Sequence, residues 1–105
     1  ALRQAGCEVM LVSRRDDGSV DMGAALRLLA VRGITRVMSE GGPILAQTLM
    51  KSHLADEIIV ARSPDALGAG VPGFVEPMPE RYRLAETRMA GRDLLETFRP
   101  DPSAP

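Results

Sequence analysis

The chain has 105 residues, of which 45% are hydrophobic and 26% charged, the composition of an ordinary globular protein with one small domain. Its formal net charge of -1 gives no reason to expect nucleic acid or an anionic membrane as a partner. Cys7 is the single cysteine and His53 the single histidine, so an intrachain disulfide is excluded. Neither residue has partners at the spacing of a zinc site or a catalytic triad, so no metal is expected. No apolar run approaches the ~20 residues of a membrane span, and a cytoplasmic location is expected.

The first third of the chain predicts a strand, a loop and a helix. Residues 1–5 followed by Gly6 resemble the last turn of a helix, which suggests a chain cut from something longer. The apolar run at residues 8–13 predicts an interior strand of an α/β sheet. Residues 14–19 predict a loop. Asp21 is suited to cap the helix that follows, and Gly33 to end it.

A second apolar run, residues 34–39, predicts another strand parallel to the first, joined to it by a right-handed crossover. Gly41-Gly42 then permits a sharp turn, and Pro43 fits the first turn of a helix. The N-terminus of such a helix presents free N–H groups and the positive end of its dipole. The pair is therefore either a phosphate seat or a simple strand-to-helix turn, and the pattern alone leaves both open.

The remaining residues predict a third strand, a long loop and a hairpin. Residues 56–62 form the strand candidate, and the Gly- and Pro-rich residues 63–79 predict a surface loop. Residues 82–89 and 94–99 predict two antiparallel strands joined by a turn at residues 90–93. The tail, residues 100–105, is expected to be frayed.

Three motifs in this order resemble a known family. They are Ser39-Glu40-Gly41-Gly42-Pro43, Leu54-Ala55-Asp56-Glu57-Ile58 and Ser63-Pro64-Asp65-Ala66-Leu67-Gly68. The series resembles the reductase domain of the bifunctional riboflavin-biosynthesis deaminase/reductase. The resemblance implies an α/β, dihydrofolate reductase-like fold with a mixed, mostly parallel sheet flanked by helices and a C-terminal antiparallel hairpin. Residues 1–105 are then a single domain, the C-terminal portion of the reductase domain, and an incomplete one that is expected to be inactive alone.

The same resemblance implies an activity and a set of site residues. The family uses NADPH to reduce 5-amino-6-(5-phosphoribosylamino)uracil to the ribitylamino product. Carried over by position, Glu40 is the catalytic and substrate-binding candidate. The cofactor candidates surround the pyrophosphate, with the last two secondary: Gly41, Gly42, Pro43, Ile44, Leu45 and Gln47. The expected partners are that small-molecule substrate and a second copy of the chain in a homodimer.

Other interpretations stay open at this point. The alternative role for Glu40 is that of a carboxylate stabilised by the dipole at a helix N-terminus. Arg14 and Arg15 follow the first predicted strand and suit the NADPH 2'-phosphate, but Asp16 and Asp17 beside them favour a solvated charged loop. The whole chain is alternatively a non-catalytic α/β fragment that self-associates or binds a partner, or part of another NADPH-dependent reductase of the dihydrofolate reductase type.

Overall fold

A computed structural model describes residues 1–66, 68, 70 and 77–103. The chain divides into two compact units, Ala1–Met38 and Ser39–Pro105. The first unit contains helix α1 (Met22–Val31), and the second contains helix α2 (Pro43–Lys51) and the strands β1 (Ile58–Arg62), β2 (Tyr82–Ala90) and β3 (Asp93–Pro100). Part of the predicted long loop, residues 67, 69 and 71–76, lies outside the described residues, as do residues 104 and 105 of the predicted frayed tail.

The first unit opens with a hydrogen-bonded turn. The Cys7 N–H donates to the Leu2 carbonyl at 3.0 Å, the Gly6 N–H donates to the Arg3 carbonyl at 3.1 Å, and Gly6 has a left-handed φ of 90°. This is the bond pattern of a Schellman helix end, formed here by a turn too short to be a helix. The predicted helix end at residues 1–6 is therefore confirmed in its hydrogen-bond pattern, but these residues form a turn and not a helix.

Helix α1 begins and ends at the residues that its sequence predicts. The Asp21 carboxylate accepts a hydrogen bond from the Ala24 N–H at 3.0 Å, which is the expected N-cap. At the other end Gly33 has a φ of 86°, and the Ile34 N–H donates to the Leu29 carbonyl at 3.1 Å. That left-handed residue closes the helix with a Schellman motif, for which glycine is the preferred residue.

The prediction of two parallel strands is wrong. Residues 8–13 and 34–39 are not strands in the structure, and in the first described unit only an isolated bridge joins Arg14 and Val20. A strand exists only where a neighbour completes its ladder of hydrogen bonds, and within the described residues neither segment has one. The apolar side chains of residues 34–39 are exposed, with Met38 82% exposed, whereas in residues 8–13 Leu11 is 87% exposed and Val9, Met10 and Val12 are half-buried.

The second unit contains a three-stranded sheet in the order β1-β3-β2, and both pairings are antiparallel. The third strand and the hairpin are confirmed, whereas the mostly parallel sheet is a wrong prediction for the described residues. The hairpin turns at Gly91, whose φ of 62° suits the first central position of a primed turn. The β2–β3 register shifts between Leu84 and Glu86, so Ala85 forms a bulge in β2.

The buried part of the second unit is small and includes Met50 of α2, Tyr82 at the start of β2 and Thr97 in the central strand. The Tyr82 hydroxyl donates a hydrogen bond to the Ala55 carbonyl at 2.9 Å. Burial of the phenol raises the pKa of Tyr82 above its ordinary value of 10.0. This bond ties the sheet to the segment that connects α2 with β1.

Ion pairs add cross-strand links between the two neighbouring strands β1 and β3. Arg62 contacts Glu96, and the Arg99 Nε lies 3.0 Å from the Glu57 carboxylate. Both pairs are partly exposed, so each contributes little to the free energy of unfolding. The described residues thus contain two helices and an antiparallel sheet, a mixed α/β content consistent with a fragment of a dihydrofolate reductase-like domain.

Candidate functional site

The candidate site is the turn that leads into helix α2. Gly42 is the N-cap residue, with φ 100° and ψ 179°, a backbone conformation that only glycine adopts without strain. A Cβ added at Gly42 would meet nothing within 4 Å. The backbone at this point is therefore bare and open, which permits close approach by a ligand.

The N-terminal turn of α2 carries no group that would compete with an anion. Pro43 is the first helical residue, as predicted, and Gly42 provides no side chain to cap the N–H groups that follow. No acidic residue lies in the first turn, and Ile44 is 78% exposed. The free N–H groups and the positive end of the helix dipole fit a phosphate group.

Leu45 is the third residue of α2, and its side chain extends back over Gly41. A Cβ added at Gly41 would lie 2.6 Å from the Leu45 Cδ2, far inside van der Waals contact. A side chain at position 41 therefore has no room while Leu45 keeps this conformation. The family resemblance implies Leu45 only as a secondary cofactor candidate. Its contact with position 41 depends on the rotamer of the leucine, which sequence spacing does not give.

Glu40, the predicted catalytic and substrate-binding residue, is exposed at the N-terminal side of the two glycines. Within the part of the chain that the structure describes, its carboxylate has no hydrogen bond or ion pair. A free carboxylate at this place is compatible with a substrate contact and with a simple dipole interaction. Gln47 is the fifth residue of α2, about one helical turn after Pro43, and its side chain is half-buried. The roles of Glu40 and Gln47 stay predictions.

The charged loop that was the second phosphate candidate is folded by its own hydrogen bonds. The Asp17 carboxylate accepts from the Ser19 N–H at 2.9 Å and from the Ser19 hydroxyl, and these bonds lower the pKa of Asp17. The Arg15 N–H donates to the Ser19 carbonyl at 2.8 Å, while the guanidinium of Arg14 has no partner among the residues that the structure describes. Nothing in this loop favours a phosphate site over a solvated turn.

The described residues offer neither a metal site nor a membrane-spanning helix. They contain no group of three or more His, Cys, Asp or Glu side chains arranged to hold a metal ion. None of the helices described is long and apolar enough to cross a membrane. The Gly41-Gly42 turn with the start of α2 remains the candidate that the geometry favours.

Comparison with known proteins gives one family. The sequence profile of the RibD C-terminal domain matches residues 2–95, which is most of the chain. The matched region includes the Gly41-Gly42 turn, both helices and the first two strands. A search of curated proteins found no match.

Proposed function

Because the chain belongs to the RibD C-terminal domain family, which is the reductase domain of the riboflavin pathway, we propose that it takes part in NADPH-dependent reduction of a phosphoribosylaminopyrimidine. The substrate is 5-amino-6-(5-phosphoribosylamino)uracil, and the product carries a ribitylamino group. NADPH supplies the hydride when it is bound. The residues of this chain then have two tasks, which are to hold the cofactor phosphates and to contact the substrate.

The observation that carries the proposal is the bare backbone at Gly42. Its φ of 100°, the open space beside it and the uncapped first turn of α2 support a seat for the NADPH pyrophosphate. Gly41, Pro43 and Ile44 complete this seat as cofactor contacts. Since backbone N–H groups do the binding, the site needs little from side chains and tolerates apolar residues in the first turn.

Glu40 is the residue we assign to the substrate side. Its unpaired carboxylate is available to accept a hydrogen bond from the pyrimidine or the sugar, or to carry a proton to the reduced group. Hydride transfer needs no side-chain nucleophile, so the reaction rests on holding two molecules close together. That suits a site that contains neither a histidine nor a cysteine.

The experiment that tests the proposal is an isothermal titration of NADPH into the protein, with NADH as the control ligand. Selective binding of NADPH supports a working cofactor seat. A folded protein that binds neither nucleotide contradicts the assignment for this chain. Reductase activity of the full-length enzyme on the phosphoribosylaminopyrimidine, compared with dihydrofolate as a control substrate, separates this function from that of another dihydrofolate reductase-type enzyme.

A homodimer is also part of the proposal, and the competing function is a non-catalytic fragment that self-associates. The sheet supports self-association because β1 and β2 are both edge strands among the described residues. Sedimentation velocity over a range of protein concentrations measures the association. A dimer that binds NADPH favours the reductase, whereas association without nucleotide binding favours the non-catalytic alternative.

A further inference from the structure

The two adjacent glycines of the candidate site are restricted for different physical reasons. Gly42 has a backbone that other residues rarely adopt, and an added Cβ would have open space around it. Gly41 is not in the left-handed region, so its backbone accepts an L-amino acid. An added Cβ at Gly41 would instead lie 2.6 Å from the Cδ2 of Leu45. A side chain at position 41 therefore requires the flexible end of Leu45 to move, whereas position 42 is limited by its own backbone.

The Leu45 side chain covers Gly41 along most of its length. Its Cβ and Cγ lie 3.6 and 3.7 Å from the position of an added Cβ, at ordinary contact distance, and only the terminal Cδ2 is closer. Helical side chains lean toward the helix N-terminus, so the third residue of α2 naturally reaches back over the turn. Leu45 thus contacts the turn with its side chain while its own N–H belongs to the first turn of the helix.

We infer that Leu45 is a positioning residue for the cofactor seat, because its side chain holds Gly41 in place and so fixes the direction of the N–H groups that follow Gly42. The inference rests on the proposed function of this turn in binding NADPH. It gives Leu45 a different role from the direct cofactor contact that the family resemblance implies. Leu45 acts through Gly41 and does not have to touch the nucleotide.

A double-mutant cycle tests this role. The variants are Gly41→Ala, Leu45→Ala and the two combined, and the readouts are the NADPH dissociation constant and the thermal unfolding midpoint. We expect Gly41→Ala to weaken NADPH binding, since its new methyl group displaces Leu45. In the Leu45→Ala background the space is free, so Gly41→Ala should cost little more. The expected coupling is about tenfold in the dissociation constant, or about 1.4 kcal/mol.

Two matched controls separate positioning from general damage. The same cycle with Gly42→Ala in place of Gly41→Ala should be additive, because nothing lies near an added Cβ at Gly42 and removing Leu45 relieves no clash. Leu45→Met keeps a flexible apolar side chain of similar volume, so it should retain NADPH affinity where Leu45→Ala loses it. These variants leave the exposed Glu40 unchanged.

Each outcome decides the inference. Additive effects of Gly41→Ala and Leu45→Ala on NADPH affinity overturn it, and so does a Gly41→Ala variant with unchanged affinity. A coupling seen in the unfolding midpoint but not in the dissociation constant reduces Leu45 to a structural residue and also overturns it. If the unsubstituted protein binds no NADPH, the proposed function is contradicted, and so is the positioning role of Leu45. If the protein binds NADPH but Gly41→Ala and Leu45→Ala are not coupled, only the inference about Leu45 is overturned.

Discussion

Gly33 and His53 occupy the same position at the ends of the two helices, one residue beyond the cap, and both have a left-handed backbone. Their φ angles are 86° and 59°. In each case the next N–H donates back to a carbonyl in the last turn, at 3.1 Å beyond Gly33 and at 2.9 Å beyond His53. The same Schellman motif is therefore built once with the residue that suits it and once with a residue that does not.

His53→Gly is expected to stabilise the protein. It removes the strain of a side chain at positive φ, and the gain should be about 0.5–1 kcal/mol after the extra flexibility that glycine gives the unfolded chain. The thermal unfolding midpoint, measured by circular dichroism, should rise by a few degrees, on the order of 4 °C. His53→Ala is the matched control, because it removes the imidazole but keeps the strain and should bring no gain. A rise with alanine equal to that with glycine would assign the effect to the imidazole.

The free energy of unfolding should fall at alkaline pH because of Tyr82. Burial raises its pKa above 10.0 in the folded chain, so the folded state holds the phenol proton more tightly than the unfolded state. The stabilisation is complete below pH 10.0 and is lost as pH rises through the higher folded-state pKa. Tyr82 is the single tyrosine and the chain has no tryptophan, so tyrosinate absorbance reports its titration directly.

Tyr82→Phe is the control for that pH dependence. It removes the hydrogen bond to the Ala55 carbonyl and leaves this acceptor unpaired, which should cost about 1 kcal/mol near neutral pH. The alkaline loss of stability should become shallower in the variant. A variant with the same alkaline profile as the parent would assign the profile to other groups.

Gly42→Val is expected to raise the NADPH dissociation constant by about tenfold or more, equivalent to about 1.4 kcal/mol. Valine at a φ of 100° forces the turn to change and places a branched side chain where the pyrophosphate should approach. Gly91→Val is the matched control, since Gly91 also has a positive φ but lies in the hairpin turn. An unchanged constant for Gly42→Val, or an equal rise for Gly91→Val, would remove the special role of Gly42.

In the full-length enzyme, Glu40→Gln should lower turnover more than it weakens NADPH binding. Loss of a proton-carrying carboxylate commonly lowers a rate by about a hundredfold or more, whereas the amide keeps the shape of the side chain. Steady-state kinetics together with the nucleotide titration separate the two effects. Glu86→Gln, an exposed glutamate on β2, serves as the control. Equal losses of turnover and NADPH affinity would move Glu40 to the cofactor side or to folding.

The features that were predicted from sequence depend on a few neighbouring residues. The Asp21 cap, the helix stop at Gly33 and the start of α2 at Pro43 are each decided within about one helical turn. The β2–β3 hairpin is similarly local, because Gly91 sets the turn and the flanking strands are continuous with it. Such short-range signals do not depend on what the rest of the fold does.

The features that were not predicted depend on distant partners or on side-chain rotamers. The apolar runs at residues 8–13 and 34–39 indicate a preference for burial, but a strand also needs a neighbour, and the sequence does not name one. The contact of Leu45 with Gly41 depends on a rotamer, although its spacing of four residues makes it geometrically possible. The turn at Gly41-Gly42 is predictable because a glycine pair permits a sharp turn and Pro43 favours the start of a helix.

The bulge at Ala85 makes the two borders of the sheet chemically unequal. On β2 it interrupts the register of the strand, and the charged Arg83, Glu86 and Arg88 stand along the same edge. Both features discourage a foreign strand from docking there. Strand β1 has a regular register and an Ile59 that is 59% exposed. We therefore expect intermolecular pairing, whether in a native assembly or in heat-induced aggregation, to occur at β1. Charged substitutions there should affect colloidal stability more than the same substitutions on β2.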